Sequence, residues 1–196
     1  MRAPLPALLI LLLPTIAHAS FDEPMPGEVI VRDVPGTGRH WQEARSIVDA
    51  PPETVHRWLT EFEYWPGRFH DVIETRVLER NGDRARIYMR SGIMGRGMVL
   101  SVRISPTGIF YEGNDGDVRA FGRIFLTPAG DGRTDVIMQS SANVSGLLGA
   151  LAPKSVIRER AREKLSADLG DLNRLARAHR GSARRSPPST RPLATP

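Results

Sequence analysis

The chain has 196 residues, of which 40% are hydrophobic and 25% charged, a composition typical of one globular domain with short appendages. It excludes a chain that is disordered throughout and a protein with several membrane spans. Cysteine is absent, which excludes disulfides, iron–sulfur clusters, thiolate zinc sites and cysteine nucleophiles. The formal net charge of +5 arises from 27 basic and 22 acidic residues, and Lys154 and Lys164 are the two lysines.

The amino terminus has the form of a secretory signal peptide. Arg2 precedes an apolar run from Leu5 to Ile16, and Ala17-His18-Ala19 forms a small-x-small cleavage pattern before Ser20. An uncleaved membrane anchor is the alternative, but this run is shorter than the roughly 20 residues that a spanning helix needs. We therefore expect residues 1–19 to be removed and the mature protein to be periplasmic or secreted.

The ordered domain is predicted over residues 39–178. Residues 20–38 are rich in proline, glycine and acidic residues without a periodic pattern, so we interpret them as an amino-terminal arm or linker. The domain begins with a predicted strand at Trp41–Val48. Pro51 and Pro52 then predict the start of a helix, because proline is tolerated in the first helical turn.

Two short helices are predicted after this strand. In the first, the apolar residues Val55, Trp58 and Leu59 fall on one face at helical spacing. The aromatic-rich segment Glu61–Phe69 predicts a second, shorter helix that is interrupted by Pro66-Gly67.

Six consecutive segments after Phe69 have the length and composition of strands. Turn signals such as Asn81-Gly82 and Asp115-Gly116 separate them and suit tight hairpins. Six successive strands joined mostly by hairpins predict an antiparallel meander. Alternation of apolar and polar residues is clear in the second and third of these segments and predicts one apolar face and one solvated, cationic face. The predicted strands are Val72–Arg80, Arg84–Ser91, Gly97–Ser105, Ile109–Asn114, Val118–Thr127 and Thr134–Asn143.

The carboxy-terminal part combines a long helix with a tail. The apolar segment Ser145–Pro153, interpreted as a hinge or gate, precedes an amphipathic helix predicted from Lys154 to Ala178, which would cover the apolar sheet face. Residues 179–196 are rich in proline and arginine and contain no acidic residue, which predicts a disordered basic tail. This tail either contacts an anionic membrane surface or is a solubilising extension without a partner. The apolar stripe of the helix comprises Ile157, Ala161, Leu165, Leu169, Leu172 and Ala176.

The order of these elements resembles the START/Bet v 1-like superfamily, with its polyketide cyclase and coenzyme-Q-binding branches. The resemblance depends on the segment Ser46–Val55 (SIVDAPPETV), then on Trp58, Trp65-Pro66 and Phe69, and it covers about residues 40–178. It implies an α+β helix-grip fold, in which a curved antiparallel β-sheet wraps around the long C-terminal α-helix and encloses an apolar cavity.

The resemblance implies three functional hypotheses, and the fold alone does not separate them. The first is binding or transport of a hydrophobic small molecule or lipid in the cavity of a monomeric protein. The second is a cyclase or dehydrase-type enzyme that uses the same cavity, and the third is a protein-interaction module whose cavity has collapsed. The predicted ligand-binding residues are Trp65, Phe69, Ile87, Met89, Met98, Leu100, Val102, Phe125 and Met138, with Ile124 as the alternative to Phe125, and with Phe110 or Tyr111 on the preceding strand.

Few side chains carry catalytic chemistry. His70-Asp71 would supply a base at the cavity mouth if it faced the cavity, but such a pair is more often a surface turn. Near the end of the last strand lie Ser140, Ser141 and Asn143, which either bind a ligand head group or face solvent. A set of arginines is assigned to the solvated sheet face, with contact to an anionic ligand group as the alternative: Arg90, Arg96, Arg103, Arg119 and Arg123.

The sequence assigns no catalytic residue, metal site or cofactor. The histidines of the mature chain lack the spacing of metal ligands. Basic residues are spread over the sheet, the helix and the tail and are interleaved with acidic ones, so nucleic-acid binding is not expected.

Overall fold

The computed structural model describes residues 23–34, 41–145 and 153–185, with side chains as far as Ser182. The predicted signal peptide, most of the segment Ser145–Pro153 and the end of the basic tail lie outside the described residues.

Eight antiparallel strands form one curved sheet in the order β1-β2-β8-β7-β6-β5-β4-β3. Each strand from β3 to β7 pairs with the next one along the chain, and β8 returns to pair with β2. The predicted meander and its hairpins are therefore confirmed. The strands are β1 (Ile30–Val34), β2 (Trp41–Val48), β3 (Val72–Asn81), β4 (Arg84–Ser91), β5 (Arg96–Ser105), β6 (Gly108–Asn114), β7 (Val118–Pro128) and β8 (Thr134–Val144).

Two short helices and one long helix complete the fold, as predicted. Helix α1 (Pro52–Thr60) begins after Pro51, with Pro52 and Glu53 in its first turn, where a missing amide costs nothing and an acidic side chain suits the helix dipole. A 3-10 turn at Phe62–Tyr64 leads into α2 (Trp65–Arg68). Helix α3 (Lys154–Arg185) covers the sheet.

Two boundaries differ from the sequence prediction. Part of the predicted amino-terminal arm is a strand, because β1 pairs with β2 from Ile30↔Arg45 to Val34↔Trp41 and its Val31 packs on the core. Helix α3 continues seven residues past Ala178, and the first of them are held in place: His179 contacts the Trp58 ring edge-on at 6.0 Å and Arg180 pairs with Asp49.

The sheet has an inner face, which packs against α3, and an outer face. On β2 the side chains of Ala44, Ser46 and Val48 are fully buried on the inner face. The amide of Asn173 on α3 donates to Ser46 Oγ at 3.0 Å, which fixes the helix over this strand. The buried stripe of α3 that meets this face comprises Ala161, Leu165, Leu169, Leu172 and Ala176.

Among the described residues, no helix has both the length and the apolar character that crossing a bilayer requires.

Candidate functional site

A cavity of about 60 Å³ lies between the inner face of the sheet and α3, with α1 and α2 at one end. Small-molecule sites usually occupy about 300–1,000 Å³, so this volume holds only a few waters. A drug-sized apolar ligand therefore enters only if the walls move apart. Their side chains are mostly apolar, and the lining residues are Leu59, Trp65, Phe69, Val72, Met89, Leu100, Tyr111, Arg123, Ile124, Met138, Gln139, Lys164, Leu165 and Asp168.

Three aromatic side chains close the end of the cavity beside α2. The Trp65 ring contacts Phe62 and Phe69 edge-on, with ring centroids 5.2 and 5.8 Å apart. Edge-to-face contacts of this kind stabilise aromatic clusters beyond the effect of buried area alone. The buried indole Nε1 of Trp65 has no hydrogen-bond partner within the described part of the chain.

The floor of the cavity is shaped by two glycines on neighbouring strands. Tyr111 on β6 lies opposite Gly122 on β7, and a Cβ added at Gly122 would overlap the phenol ring. At Gly113, an added Cβ would lie 2.5 Å from Met98 Sδ and 2.6 Å from a methyl group of Leu100. The missing side chains thus make room for these larger inward-facing residues.

A charged cluster lies in the cavity wall formed by α3. Lys164 Nζ lies 2.6 and 2.8 Å from the two carboxylate oxygens of Asp168, one helical turn away. The same ammonium lies 3.1 Å from Asp71 Oδ2, at the start of β3. Both side chains of the Lys164–Asp168 pair are partly buried, and these multiple contacts offset the desolvation of each charge.

Asp71 also anchors the hairpin between β4 and β5. Its carboxylate accepts hydrogen bonds from the Ile93 amide at 2.5 Å and from Ser91 Oγ at 2.7 Å. Through Lys164 the same carboxylate joins this hairpin to α3. Asp71 is buried, and its three partners account for its presence in the core.

The cluster perturbs the pKa values of its members in different directions. Burial alone would raise the pKa of Asp71, but the Ile93 amide, the Lys164 ammonium and the Ser91 hydroxyl together lower it. Burial raises the pKa of Asp168, and Lys164 only partly offsets this effect. For Lys164, burial acts to lower the pKa, but Asp168 and Asp71 outweigh it and the pKa is raised.

Tyr111 is a neutral polar residue in the cavity wall. Burial raises the pKa of its phenol, the negative charge of Asp168 adds to this effect, and Lys164 with a hydrogen bond to Ser140 opposes it. A phenol whose pKa lies above its ordinary value of 10.0 stays protonated at neutral pH. Tyr111 therefore offers both a donor and an acceptor to the cavity.

The structure brings five of the nine predicted ligand-binding residues to the cavity. Three others are buried in the surrounding core without lining the cavity: Ile87, Met98 and Val102. The five that line it are Trp65, Phe69, Met89, Leu100 and Met138.

The predicted inward orientation of Phe125 is wrong. Ile124 pairs with Met138 and lines the cavity, so the strand alternation directs Phe125 to the outer face. There its ring contacts that of Phe110, with centroids 5.9 Å apart. The same alternation resolves the choice on β6 in favour of Tyr111 over Phe110.

His70 does not line the cavity, so the structure gives no support to a base at that position. Its side chain is 65% exposed, and Nδ1 lies 2.7 Å from Oδ2 of the buried Asp171 on α3. The adjacent Asp71 points inward instead.

The predicted polar residues on the sheet separate by face. Ser140 lies on the inner face beside Tyr111, whereas Ser141 and Asn143 alternate to the other side of β8. Three of the arginines form ion pairs with acidic residues: Arg90 with Glu74, Arg96 with Asp115, and Arg119 with Glu112. The Arg123 guanidinium lies over the Trp41 ring at 4.3 Å, on the outer face, and Arg103 lies on that face opposite Phe110.

Sequence reasoning did not single out Lys164 or Asp168. Lysine and aspartate four residues apart on a helix resemble an ordinary solvent-exposed pair. The available signal was their position next to Leu165 and Leu169 in the apolar stripe. Within residues 23–34, 41–145 and 153–185, no group of three or more histidine and acidic side chains is arranged to hold a metal ion.

Comparison with known proteins identifies the family. Residues 41–177 match the family model described as polyketide cyclase / dehydrase and lipid transport. A search of curated proteins finds no match.

Solved structures share the fold at low identity. The Zhui aromatase/cyclase from Streptomyces sp. R1128 has a TM-score of 0.67 and 16% identity over 79% of this chain and 98% of that one. A protein of Thermus thermophilus has a TM-score of 0.61 and 21% identity over 70% and 97% of the two chains. A STAR-related lipid transfer protein from Xanthomonas axonopodis has a TM-score of 0.60 and 19% identity over 76% and 92%. With the family model matched over most of the domain, this chain belongs to the polyketide cyclase / dehydrase and lipid transport family of the START/Bet v 1 superfamily.

Proposed function

We propose that the protein binds a hydrophobic small molecule or lipid in the cavity between the inner sheet face and α3, and that it acts as a carrier. The observation that supports this most directly is the cavity wall, where apolar side chains such as Met89, Leu100 and Met138 surround a few polar groups. This is the usual composition of small-molecule sites. Affinity would come from apolar area removed from water, at about 25 cal/mol per Å².

The cavity is small, so binding of a lipid-sized molecule requires its walls to move apart. Methionine side chains adapt their shape readily, and Met89 and Met138 both line the cavity. Binding would displace them and the aromatic end at Trp65. The interaction-module hypothesis predicts a permanently collapsed cavity. Uptake of an apolar probe therefore distinguishes the carrier hypothesis from the interaction-module hypothesis.

Native mass spectrometry of the protein purified without detergent tests the proposal. The carrier hypothesis predicts stoichiometric and saturable uptake of the fluorescent probe N-phenyl-1-naphthylamine (NPN), and a co-purified apolar species would support it further. The absence of NPN uptake would contradict it and favour the interaction module.

A second candidate function is cyclase or dehydrase-type catalysis. The observation that favours it is the presence of Tyr111, Lys164 and Asp168 along the cavity, because a phenol and a carboxylate are groups that donate and accept protons. Turnover of a β-hydroxyketone to its enone, followed by absorbance and lost in Asp168→Asn, would establish an enzyme. Binding of the ketone without turnover would leave the carrier.

We also propose that the protein works in the periplasm or outside the cell, at an anionic membrane surface. The support is the leader-like sequence of residues 1–19 and the arginine-rich stretch of residues 177–196, which contains no acidic residue. Amino-terminal sequencing should return Ser20, and anionic vesicles should bind the protein more strongly at low salt. An intact Met1 on a membrane-bound form would overturn this proposal.

A further inference from the structure

The cavity contains charged groups but no surplus positive charge. The three ammonium protons of Lys164 are matched by three carboxylate oxygens, two from Asp168 and one from Asp71. Arg123 also has atoms in the cavity wall, but its guanidinium lies on the outer face over Trp41. The charged groups of the cluster are therefore one ammonium and two carboxyl groups. Their net charge is negative when both carboxyl groups are ionised and zero when one of them is protonated.

One residue of the cavity wall carries a buried donor that lacks an acceptor. The buried Nε1–H of Trp65 has no partner among the described residues, and burying an N–H without a partner is costly. Trp65 lines the same cavity as Tyr111 and Asp168. A ligand oxygen near the Trp65 edge would satisfy this donor.

We propose that the cavity selects neutral, oxygen-bearing apolar molecules, such as ketones and alcohols, over ionised carboxylates of the same chain length. This inference rests on the proposed function and specifies its ligand class. A ketone or hydroxyl oxygen accepts from Trp65 without adding charge. A carboxylate also accepts, but it brings a further negative charge beside Asp71 and Asp168 with no free cation to pair with among the residues that line the cavity, in surroundings of low dielectric.

The test is displacement of bound NPN at pH 8 by three ligands with twelve carbons: 2-dodecanone, 1-dodecanol and dodecanoate. The expected result for the wild-type protein is that the ketone and the alcohol displace NPN at concentrations at least about tenfold lower than dodecanoate, since tenfold corresponds to about 1.4 kcal/mol and an uncompensated buried charge costs more. This comparison needs no variant.

Two substitutions probe the assigned groups. Trp65→Phe keeps an aromatic ring but removes the Nε1 donor. It should therefore lower the affinity for 2-dodecanone about three- to tenfold, which is the effect of one lost hydrogen bond. Asp168→Asn keeps an acceptor for Lys164 but removes one negative charge, so it should reduce the discrimination against dodecanoate. The exposed Asp131→Asn is the matched control and should change neither.

The outcomes separate this inference from the proposed function. If NPN binds and dodecanoate displaces it as well as the ketone does, the selection for neutral ligands is wrong while the carrier function stands. If NPN does not bind to the wild-type protein, the carrier function fails and the inference fails with it.

Discussion

Single residues determine how much space the cavity floor offers. Gly122 faces α3 with no side chain, and the Tyr111 ring lies against it. A side chain at position 122 would overlap the Tyr111 ring. The cavity therefore depends on a pairing of small with large across β6 and β7.

Gly122→Ala should destabilise the protein by about 1–3 kcal/mol, because the new methyl group displaces the Tyr111 ring. In a Tyr111→Ala background the same substitution should lower the free energy of unfolding by a smaller amount, because the ring that the methyl group would overlap is absent. Urea unfolding of the four proteins measures the coupling. Gly67→Ala, where an added Cβ meets nothing within 4 Å, is the control. Equal costs in both backgrounds would contradict the assigned contact.

Asp71→Asn should reduce stability by about 1–3 kcal/mol at pH 7, because it removes one of the two charged partners of the largely buried Lys164. The pKa of Asp71 is lowered in the folded state, so its contribution is present above its ordinary value of 3.8 and is lost as the pH falls through the folded-state pKa. The difference between variant and wild type should therefore stay constant down to pH 5 and be smaller at pH 3.

Urea unfolding at several pH values checks this dependence. Asp131→Asn is the control, because its side chain is 86% exposed and its ion pair with Arg133 contributes little. A stability difference for Asp71→Asn that is the same at pH 7 and pH 3 would contradict the charged role of Asp71.

Secondary-structure elements were largely predictable from sequence patterns, because each follows from a local period. Composition and turn signals placed β3 to β8, with clear alternation in β4 and β5, and the stripe from Ala161 to Ala176 placed α3. Strand β1 was missed because its five residues include only a short apolar alternation, and its stability comes from pairing with β2. Tertiary contacts of this kind leave no periodic signal.

The candidate site was predictable in part. Met89 and Leu100 followed from strand alternation, and Trp65 and Phe69 followed from the family resemblance. At β7 the sequence left Ile124 and Phe125 open, and the larger residue was the wrong choice. The Lys164–Asp168 pair could not be assigned, because the depth of a helix face in the core depends on how α3 crosses the sheet. His70 and Asp71 lie in the turn before β3, where no periodic pattern indicates the facing. The side chain of His70 is exposed, whereas that of Asp71 is buried.

The last turns of α3 should contribute to stability, in contrast to the predicted disordered tail from residue 179. A chain that ends at Ala178 loses the contact of His179 with Trp58 and the pair of Arg180 with Asp49, whereas a chain that ends at Ser182 keeps both. The shorter chain should be less stable by about 0.5–1.5 kcal/mol, the usual contribution of an aromatic contact. Equal melting temperatures of the two chains would show that these contacts add nothing.

At the level of the whole molecule, the sheet and α3 form two walls, and the cavity between them beside α1 and α2 is small. The core is continuous around the cavity, from Phe62 at the α2 end to Val118 near the hairpin that follows β6. A ligand that fills the cavity would raise the free energy of unfolding, by an amount that grows with the logarithm of the ratio of ligand concentration to Kd. Ligand binding can therefore be followed as a rise in melting temperature.

Uptake of NPN by Met89→Trp tests the central claim, that an apolar ligand occupies the space between the inner sheet face and α3. Met89 is only partly buried and lines the cavity, so the indole would occupy the ligand space, at a cost of about 1–3 kcal/mol because the walls must move apart. Met25→Trp, at a methionine that is 70% exposed, is the matched control. We predict saturable NPN uptake by the wild type and Met25→Trp, and its loss in a Met89→Trp protein that still unfolds cooperatively. Undiminished uptake by Met89→Trp, or none by the wild type, would contradict the account.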